Sequence, residues 1–259
     1  MMTDLILTVR PAPDGDLDVA ALGRRGVAAL AAPVMAAACP DDVSPDHQGL
    51  PAADRIGGLI VTSRHAIAAF LDMFGGTLPP AWTGLPVFAV GRASGRVARK
   101  AGFSDVTVGT GGGAGLAPLI LARTGARHDP GNAPLLWPCA VHRGFDMKAA
   151  LAPHIDVTAL PVYELKAVPQ LDSRACAALA DGRVGAVILM SARSARLFRD
   201  LLMRHKLDAT VSGMALIAGS AEIAAAAGPG WGEQFIARRS TRARLLAIAA
   251  LFYHRRMTG

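Results

Sequence analysis

Serine and arginine side chains stand where strand-like runs of the sequence give way to helix-like runs. Ser63 and Ser191 each end an apolar run, and Arg64 and Arg193 adjoin the helix starts that follow. A serine at this position caps a helix by accepting a backbone N–H. The unpaired N–H groups of a helix start, with a neighbouring guanidinium, also bind carboxylates. The pattern therefore predicts either plain helix capping or a pair of anion sites.

A second pair of strand-to-helix turns also carries polar side chains. Gly91, Arg92 and Ser94 lie in the first of these turns, and Ser220 and Glu222 lie in the second. In a parallel sheet such turns lie at the carboxyl ends of the strands, where ligands bind. Arg92 and Ser94 suit an acidic ligand, whereas the carboxylate of Glu222 would repel one. We therefore expect the first turn to be the better anion site.

Tyr163 is one of two tyrosines in the chain. On a strand it would be a packed aromatic residue, whereas in a cleft its phenol could donate a proton or a hydrogen bond to a leaving group. No nucleophile elbow, HExxH pair or paired strand-end carboxylates accompany it. The cysteines Cys39, Cys139 and Cys176 are too far apart for a CxxC site. We therefore expect no zinc or redox site of the CxxC type.

The glycine-rich segment Gly109–Gly115 follows a strand-like run and precedes a helix-like run, as a dinucleotide-binding turn does. The next strand, Leu135–Trp137, should then end in an acidic residue for the ribose, but Pro138 and Cys139 follow it. A flexible loop is the interpretation we favour. A nucleotide-dependent oxidoreductase is the alternative, and saturable nicotinamide binding would support it.

Composition narrows the class of protein. The chain has 259 residues, of which 52% are hydrophobic and 18% are charged, so that it is neither disordered nor a coiled coil. The helical apolar runs are shorter than the about 20 residues that span a bilayer, and the start lacks a secretory pattern. We expect a cytoplasmic protein with no membrane partner.

The formal net charge of +7 indicates either a solvated, net-positive surface or attraction to a polyanionic partner. Only 5% of the residues are aromatic, so that few side chains could stack on bases, and we expect no nucleic-acid partner. A small substrate with several carboxylates also fits the excess of basic residues.

Short apolar runs alternate with runs of helical spacing along the chain. The strand-like runs are Leu5–Val9, Ile56–Thr62, Pro86–Val90 and Ser104–Val108, and the helix-like runs are Asp16–Arg25, His65–Phe74, Arg92–Ala101 and Leu116–Arg123. Continuous apolar strands between helices predict parallel sheets covered on both faces. The last helix is predicted to begin at the N-cap Ser240.

The second half of the chain repeats the first at a separation of 128 positions. The matched pairs include Pro33 and Pro161, Ile60 and Ile188, Phe70 and Phe198, and Gly91 and Gly219. This period is far longer than a solenoid repeat, which has about 20–50 residues. It predicts two related α/β domains, and a cleft between two such domains is a common place for a ligand.

Six segments, in their order and spacing, resemble the uroporphyrinogen-III synthase family. They are Leu7–Pro11, Gly26 with Pro33-Val34, Leu59–Ala66 with its Thr-Ser-x-x-Ala pattern, Pro86–Ser94 with Ser in place of the family's Thr, Val162–Glu164, and Ile188–Ser191. The resemblance covers nearly the whole chain.

The resemblance implies an α/β fold of two related parallel-sheet domains joined by a two-stranded connection, with a cleft between them. The first domain would be discontinuous, with residues 1–36 and 169–259, and the second would span residues 40–160. Residues 37–39 and 161–168 would form the connection. A monomer is the family expectation.

The resemblance also implies a reaction, the conversion of hydroxymethylbilane to uroporphyrinogen III with loss of water and without cofactor or metal. The hydroxyl leaves to give an azafulvene, and the last ring attacks through its substituted carbon to give a spiro-pyrrolenine. Fragmentation and recombination then invert that ring. Tyr163 would assist departure of the hydroxyl. The expected carboxylate-binding residues are Arg10, Ser63, Arg64, Gly91, Arg92, Ser94, Ser191, Arg193 and Ser220.

A binding protein of a different class fits the same pattern. Two related α/β domains with a double crossover also describe hinge-type proteins that bind a small acidic ligand without turning it over. Analysis of reaction products discriminates between the two, because only the synthase forms the inverted isomer.

Overall fold

A computed structural model describes residues 5–40, 50–124 and 133–258. Contacts divide the chain into two units. Unit 1 comprises Met1–Ala36 and Lys166–Gly259, and unit 2 comprises Ala37–Leu165. The chain therefore passes from one unit to the other twice.

Eleven strands and ten α-helices form within the described ranges. The strands are β1 (Leu5–Thr8), β2 (Ala29–Ala31), β3 (Met35–Ala38), β4 (Gly58–Val61), β5 (Val87–Ala89), β6 (Val106–Val108), β7 (Leu135–Ala140), β8 (Val157–Ala167), β9 (Val184–Leu189), β10 (Ala215–Ala218) and β11 (Glu233–Ile236). The helices are α1 (Asp14–Gly23), α2 (Arg64–Asp72), α3 (Pro80–Thr83), α4 (Arg92–Lys100), α5 (Gly112–Thr124), α6 (Met147–Leu151), α7 (Ser173–Ala180), α8 (Ala192–Arg204), α9 (Ala221–Ala227) and α10 (Arg242–Thr258). In this part of the chain no helix is both long and apolar enough to cross a membrane.

The sheet of unit 1 has the N-terminal strand in its interior. Its order is β2-β1-β9-β10-β11, and all four pairings are parallel. Every residue of β9 is buried, as a continuous apolar run covered on both faces requires. On one face Ile6 and Ile188 share a buried cluster with Leu245 of α10.

The sheet of unit 2 has the order β3-β8-β7-β4-β5-β6, and the pairings from β8 to β6 are parallel. Alternate residues of β4 enter different clusters, with Leu59 and Val61 packing against Phe70 and Ile60 packing against Leu116. Successive side chains of a strand point to opposite faces, so that both faces of this sheet are covered. The strands β3 and β8, which contain the two passages between units, are neighbours in this sheet.

The two sheets share one arrangement of strands. The order β2-β1-β9-β10-β11 corresponds to β8-β7-β4-β5-β6, so that β9 matches β4 and β1 matches β7. Ile60 and Ile188 are fully buried in matching strands, and Phe70 and Phe198 are fully buried in the helices that follow. The predicted fold of two related α/β domains is therefore confirmed.

Two helices begin two or more residues earlier than the apolar pattern predicts. The first helix spans Asp14–Gly23 rather than Asp16–Arg25. The helix predicted at Leu116–Arg123 spans Gly112–Thr124, because its first turn is built from glycines, whose low helix propensity tertiary contacts override.

The start of the last helix also differs from the prediction. It begins at Arg242, and the N-cap is Thr241, whose Oγ1 accepts a hydrogen bond from the Arg244 N–H at 3.4 Å. The prediction of Ser240 as the N-cap is wrong. Ser240 packs on Gly219 instead, where a Cβ would lie only 2.4 Å from the Ser240 hydroxyl oxygen.

A buried carboxylate joins distant parts of unit 1. Asp18 of α1 is fully buried and accepts hydrogen bonds from Thr8 Oγ1 and from Arg10, each at 3.2 Å. Arg242 donates from Nε to the same carboxylate and from a terminal nitrogen to the Leu17 carbonyl. A buried charge is tolerated only when it is paired and hydrogen-bonded, so that Asp18 fixes β1, α1 and α10 to one another.

Asp18→Asn should lower the free energy of unfolding by about 3 kcal/mol or more, because two guanidiniums would then face a neutral amide. Urea unfolding followed by circular dichroism measures the change. Asp16→Asn is the matched control, since Asp16 is exposed in the same helix. Its effect should stay below about 1 kcal/mol. Equal unfolding midpoints for the two variants would contradict the structural role of Asp18.

Candidate functional site

The carboxyl edge of the unit 2 sheet brings together the turns that follow neighbouring strands. Ser63 follows β4 with an extended backbone and caps α2, its Oγ accepting a hydrogen bond from the His65 N–H at 3.1 Å. The turn after β5 lies beside it, as the hydrogen bond from the Val90 N–H to the Val61 carbonyl shows at 2.9 Å. Arg64, half-buried, is the first residue of α2.

Tyr163 contacts Ser63 from β8, two strands away in the sheet. Its side chain is 7% exposed, its phenol donates a hydrogen bond to Ser63 Oγ at 3.1 Å, and its ring centroid lies 5.6 Å from that of His65. Ser63 Oγ thus accepts two hydrogen bonds, and its own O–H can donate to a third group. Two predicted site residues, 100 positions apart, therefore meet here.

A second set of contacts lies beside Thr62 at the same edge. The buried Trp137 donates from Nε1 to Thr62 Oγ1 at 3.0 Å. Arg143, exposed in the turn after β7, lies over the Trp137 ring at 5.3 Å from its centroid and donates to Cys139 Sγ at 3.2 Å. This set orders an arginine at the surface.

The Cys139 thiol stays protonated at neutral pH. Burial raises the pKa of this thiol above its ordinary value, and the hydrogen bond and positive charge of Arg143 oppose that rise without cancelling it. Because the sulfur carries no negative charge, it does not neutralise the Arg143 guanidinium.

The turn after β5 lacks a capping side chain. Gly91 is the N-cap of α4, so that no side chain accepts from the first N–H groups of this helix. Arg92 is exposed at the first helical position, and Ser94 is buried. Arg96 and Arg99 continue the basic face and line, with Arg92, a groove of about 500 Å³. A helix start with unpaired N–H groups beside guanidiniums can accept an anion.

The glycine-rich segment is a packing element. A Cβ on Gly115 would lie 1.9 Å from the Thr110 carbonyl oxygen, and a Cβ on Gly113 would lie 2.5 Å from the Phe145 ring. The flexible-loop interpretation is wrong for Gly112–Gly115, which form the first turn of α5. These glycines allow Phe145, in the same turn as Arg143, to pack directly on the helix backbone.

Serines cap the matching turns of unit 1. Ser191 Oγ accepts a hydrogen bond from the Ser194 N–H at 3.1 Å at the start of α8, where Arg193 is exposed. Ser220 Oγ accepts from the Ile223 N–H at 3.3 Å at the start of α9. Helix capping, which the sequence predicted for Ser191 as one of two alternatives, is therefore present there, and Ser220 caps its helix in the same way.

Arg10, in the turn after β1, is paired with acidic side chains. Its guanidinium forms ion pairs with Asp14 and with the buried Asp18. A substrate carboxylate at this place would have to compete with both of these residues.

Sequence reasoning missed Thr62, Trp137 and Arg143. A tryptophan in an otherwise aliphatic strand was one available signal, because a buried indole needs an acceptor for its N–H. The position of Arg143 was another, since it lies between a strand and the helix that follows, and Arg64 and Arg92 also stand where a strand gives way to a helix. The spacing of the sequence could not show that these three side chains touch.

A family model shows the family of this chain, and solved structures show its fold. The family model described as uroporphyrinogen-III synthase HemD matches residues 17–247. The solved uroporphyrinogen-III synthetase of Helicobacter pylori is 17% identical, with a TM-score of 0.56 over 95% of this chain and 98% of that one. A mutant uroporphyrinogen III synthase of Thermus thermophilus is 16% identical, with a TM-score of 0.50 over 99% and 100%. At these identities the structures show the fold, and no curated protein matches the chain.

Alkylation of the native protein should distinguish its thiols. Cys139 is 1% exposed and its pKa is raised by burial, so that iodoacetamide should modify it far more slowly than the exposed Cys39 as the pH is raised from 7 to about 9. Peptide mass spectrometry over a pH series measures both rates, and unfolding in urea should make them similar. Equal rates in the native protein would contradict the buried, protonated thiol.

Proposed function

The chain belongs to the uroporphyrinogen-III synthase family, and we propose that its reaction begins where Tyr163 donates a hydrogen bond to Ser63. The enzyme is a lyase that closes hydroxymethylbilane to uroporphyrinogen III with inversion of ring D and loss of water. The observation that carries the proposed location is the 3.1 Å contact between the Tyr163 phenol and Ser63 Oγ at the carboxyl end of β4.

Departure of the substrate hydroxyl is the step that these side chains assist. The pyrrole nitrogen supplies the electron pair, and water is the net product because the departing oxygen gains a proton while the pyrrole N–H loses one. Ser63 Oγ already accepts from Tyr163 and from the His65 N–H, so that its own O–H donates toward the leaving oxygen. Tyr163 acts through Ser63 by polarising that O–H. Proton donation of this kind contributes about 10²–10⁴-fold in rate.

Orientation of the substrate decides which isomer forms. Hydroxymethylbilane cyclises unaided to the uninverted isomer, so that the protein must hold the tetrapyrrole with the substituted carbon of ring D toward the electrophile. Carboxylates held by N–H groups and guanidiniums serve this purpose.

The turn after β5 is the strongest of the proposed carboxylate sites. Its N–H groups have no side-chain acceptor, and Arg92 stands exposed beside them. Gly91, Arg92 and Ser94 of this turn belong to the proposed carboxylate-binding set. The other members of the set are Arg10, Ser63, Arg64, Ser191, Arg193 and Ser220.

The setting of the enzyme is also part of the proposal. We propose that the enzyme is a cytoplasmic monomer. Its proposed partner is the small-molecule substrate, and we expect it to bind neither nucleic acid nor a membrane. The free thiols of Cys39, Cys139 and Cys176 fit a reducing compartment. For the domains we propose the bounds that the family resemblance implies, residues 1–36 with 169–259 and residues 40–160.

Tyr163→Phe should lower the kcat for type III product by about tenfold or more, because the phenol no longer polarises Ser63. Ser63→Ala should lower kcat at least as much. In the double variant the loss of the phenol should add little, because Tyr163 acts through Ser63. The assay supplies freshly generated hydroxymethylbilane, oxidises the products and separates type I from type III porphyrin.

Tyr253→Phe is the matched control, since Tyr253 is the other tyrosine and is buried in unit 1. Its kcat should equal that of the parent protein. An unchanged kcat in Tyr163→Phe would remove this phenol from the mechanism. Type I product alone, at the uncatalysed rate, from the unaltered protein would favour the hinge-type binding protein instead.

A further inference from the structure

We propose that Arg143 binds a substrate carboxylate, with its guanidinium held in the binding position before the substrate arrives. The inference rests on the proposed function, because the carboxylate is one of those of hydroxymethylbilane. The contacts of the side chain, its charge and its place in the sheet support it independently.

Contacts on two sides order the guanidinium. It lies 5.3 Å from the centroid of the Trp137 ring and donates to Cys139 Sγ at 3.2 Å. Trp137 is only 2% exposed, and the hydrogen bond from its Nε1 to Thr62 Oγ1 fixes the plane of the ring. A long side chain that is already ordered loses less conformational freedom when it binds a ligand. Arg143 is therefore a more effective anion site than a mobile surface arginine.

The charge of Arg143 is available to a ligand. The sulfur that accepts its hydrogen bond is a neutral thiol. Within residues 5–40, 50–124 and 133–258, no carboxylate lies at ion-pair distance from Arg143. The acidic residue nearest in sequence, Asp146, accepts a hydrogen bond from the Ala149 N–H at 3.1 Å and caps α6. Arg123 differs, because its guanidinium is paired with Asp105 at 2.9 Å.

Arg143 lies at the edge of the unit 2 sheet where proteins of this fold class bind ligands. The connection that leaves β4 leads to β5 on one side, and the connection that leaves β7 leads to β8 on the other. Their helices accordingly pack on opposite faces, α2 with one cluster and α6 with the other. Adjacent strands whose connections diverge open a crevice at their carboxyl ends. Ser63 stands on the β4 side of this crevice, and Arg143 stands on the β7 side.

Arg143→Gln should raise the dissociation constant for uroporphyrin I, an oxidised tetrapyrrole with the same acidic side chains, by about tenfold or more. Quenching of porphyrin fluorescence measures this constant without turnover. The KM for hydroxymethylbilane should rise by a similar factor. Arg143→Lys keeps the charge but loses the planar fork, and its affinity should be intermediate.

Arg123→Gln is the matched control, an exposed arginine of unit 2 that is paired with Asp105. A purely structural role of Arg143 predicts a different pattern from binding. Arg143→Gln would then lower the urea midpoint and expose Cys139 to alkylation, with the porphyrin affinity of the folded protein unchanged. Salt supplies a further readout, because the affinity of the parent protein should fall more steeply with ionic strength than that of Arg143→Gln.

Three outcomes test the role of Arg143 separately from the proposed function. A raised dissociation constant and KM, with an unchanged urea midpoint and a protected Cys139, support the inference. Values within twofold of the parent protein, while that protein forms type III product, overturn the inference and leave the proposed function standing. Type I product alone from the parent protein, with porphyrin binding that still depends on Arg143, overturns the proposed function and leaves the carboxylate site standing.

Discussion

The Asp18 carboxylate holds together a unit whose parts come from opposite ends of the chain. Arg10, beside β1, and Arg242, 224 positions after Asp18, both donate to it. The entropy of closing so long a loop grows only slowly with its length, so that a discontinuous domain is tolerated when local contacts at the join are strong. A buried carboxylate with charged donors supplies such contacts and fixes β1, α1 and α10 to one another.

The ion pair between Arg10 and Asp18 also marks a difference between the two units, which lies in what an equivalent arginine contacts. In each sheet a pair of adjacent strands has diverging connections, β1 with β9 in unit 1 and β7 with β4 in unit 2. An arginine follows the first strand of each pair and a capping serine follows the second, Arg10 with Ser191 and Arg143 with Ser63. Unit 1 uses its arginine to pair with buried acid, whereas unit 2 leaves its arginine without a carboxylate partner among the described residues.

Helices, strands and helix caps, which depend on neighbouring residues, could be predicted from the sequence. Side-chain contacts that depend on the order of strands in a sheet could not. Apolar runs and the repeat predicted the two α/β sheets, and the serines at Ser63 and Ser191 predicted the caps of α2 and α8. The contact of Tyr163 with Ser63 depends on the order β8-β7-β4, which no local pattern encodes. Ser240 was misassigned because the adjacent Thr241 caps equally well, and packing on Gly219 decides between them.

Rigid side chains at the unit 2 edge, where we propose the site, would allow a site without reactive nucleophiles to control an isomer ratio. A displacement of about 1 Å in a bound substrate can cost about 10²-fold in rate, so that the anchors must be rigid. Buried Trp137 fixes Arg143, and Gly113 lets Phe145 pack close enough to fix the turn that carries Arg143. Ser63 is fixed in the same way by its two donors. Rigidity at this edge thus comes from residues that the proposed mechanism does not bring into contact with the substrate. Substitutions among them should alter the ratio of type III to type I product before they alter the rate of ring closure.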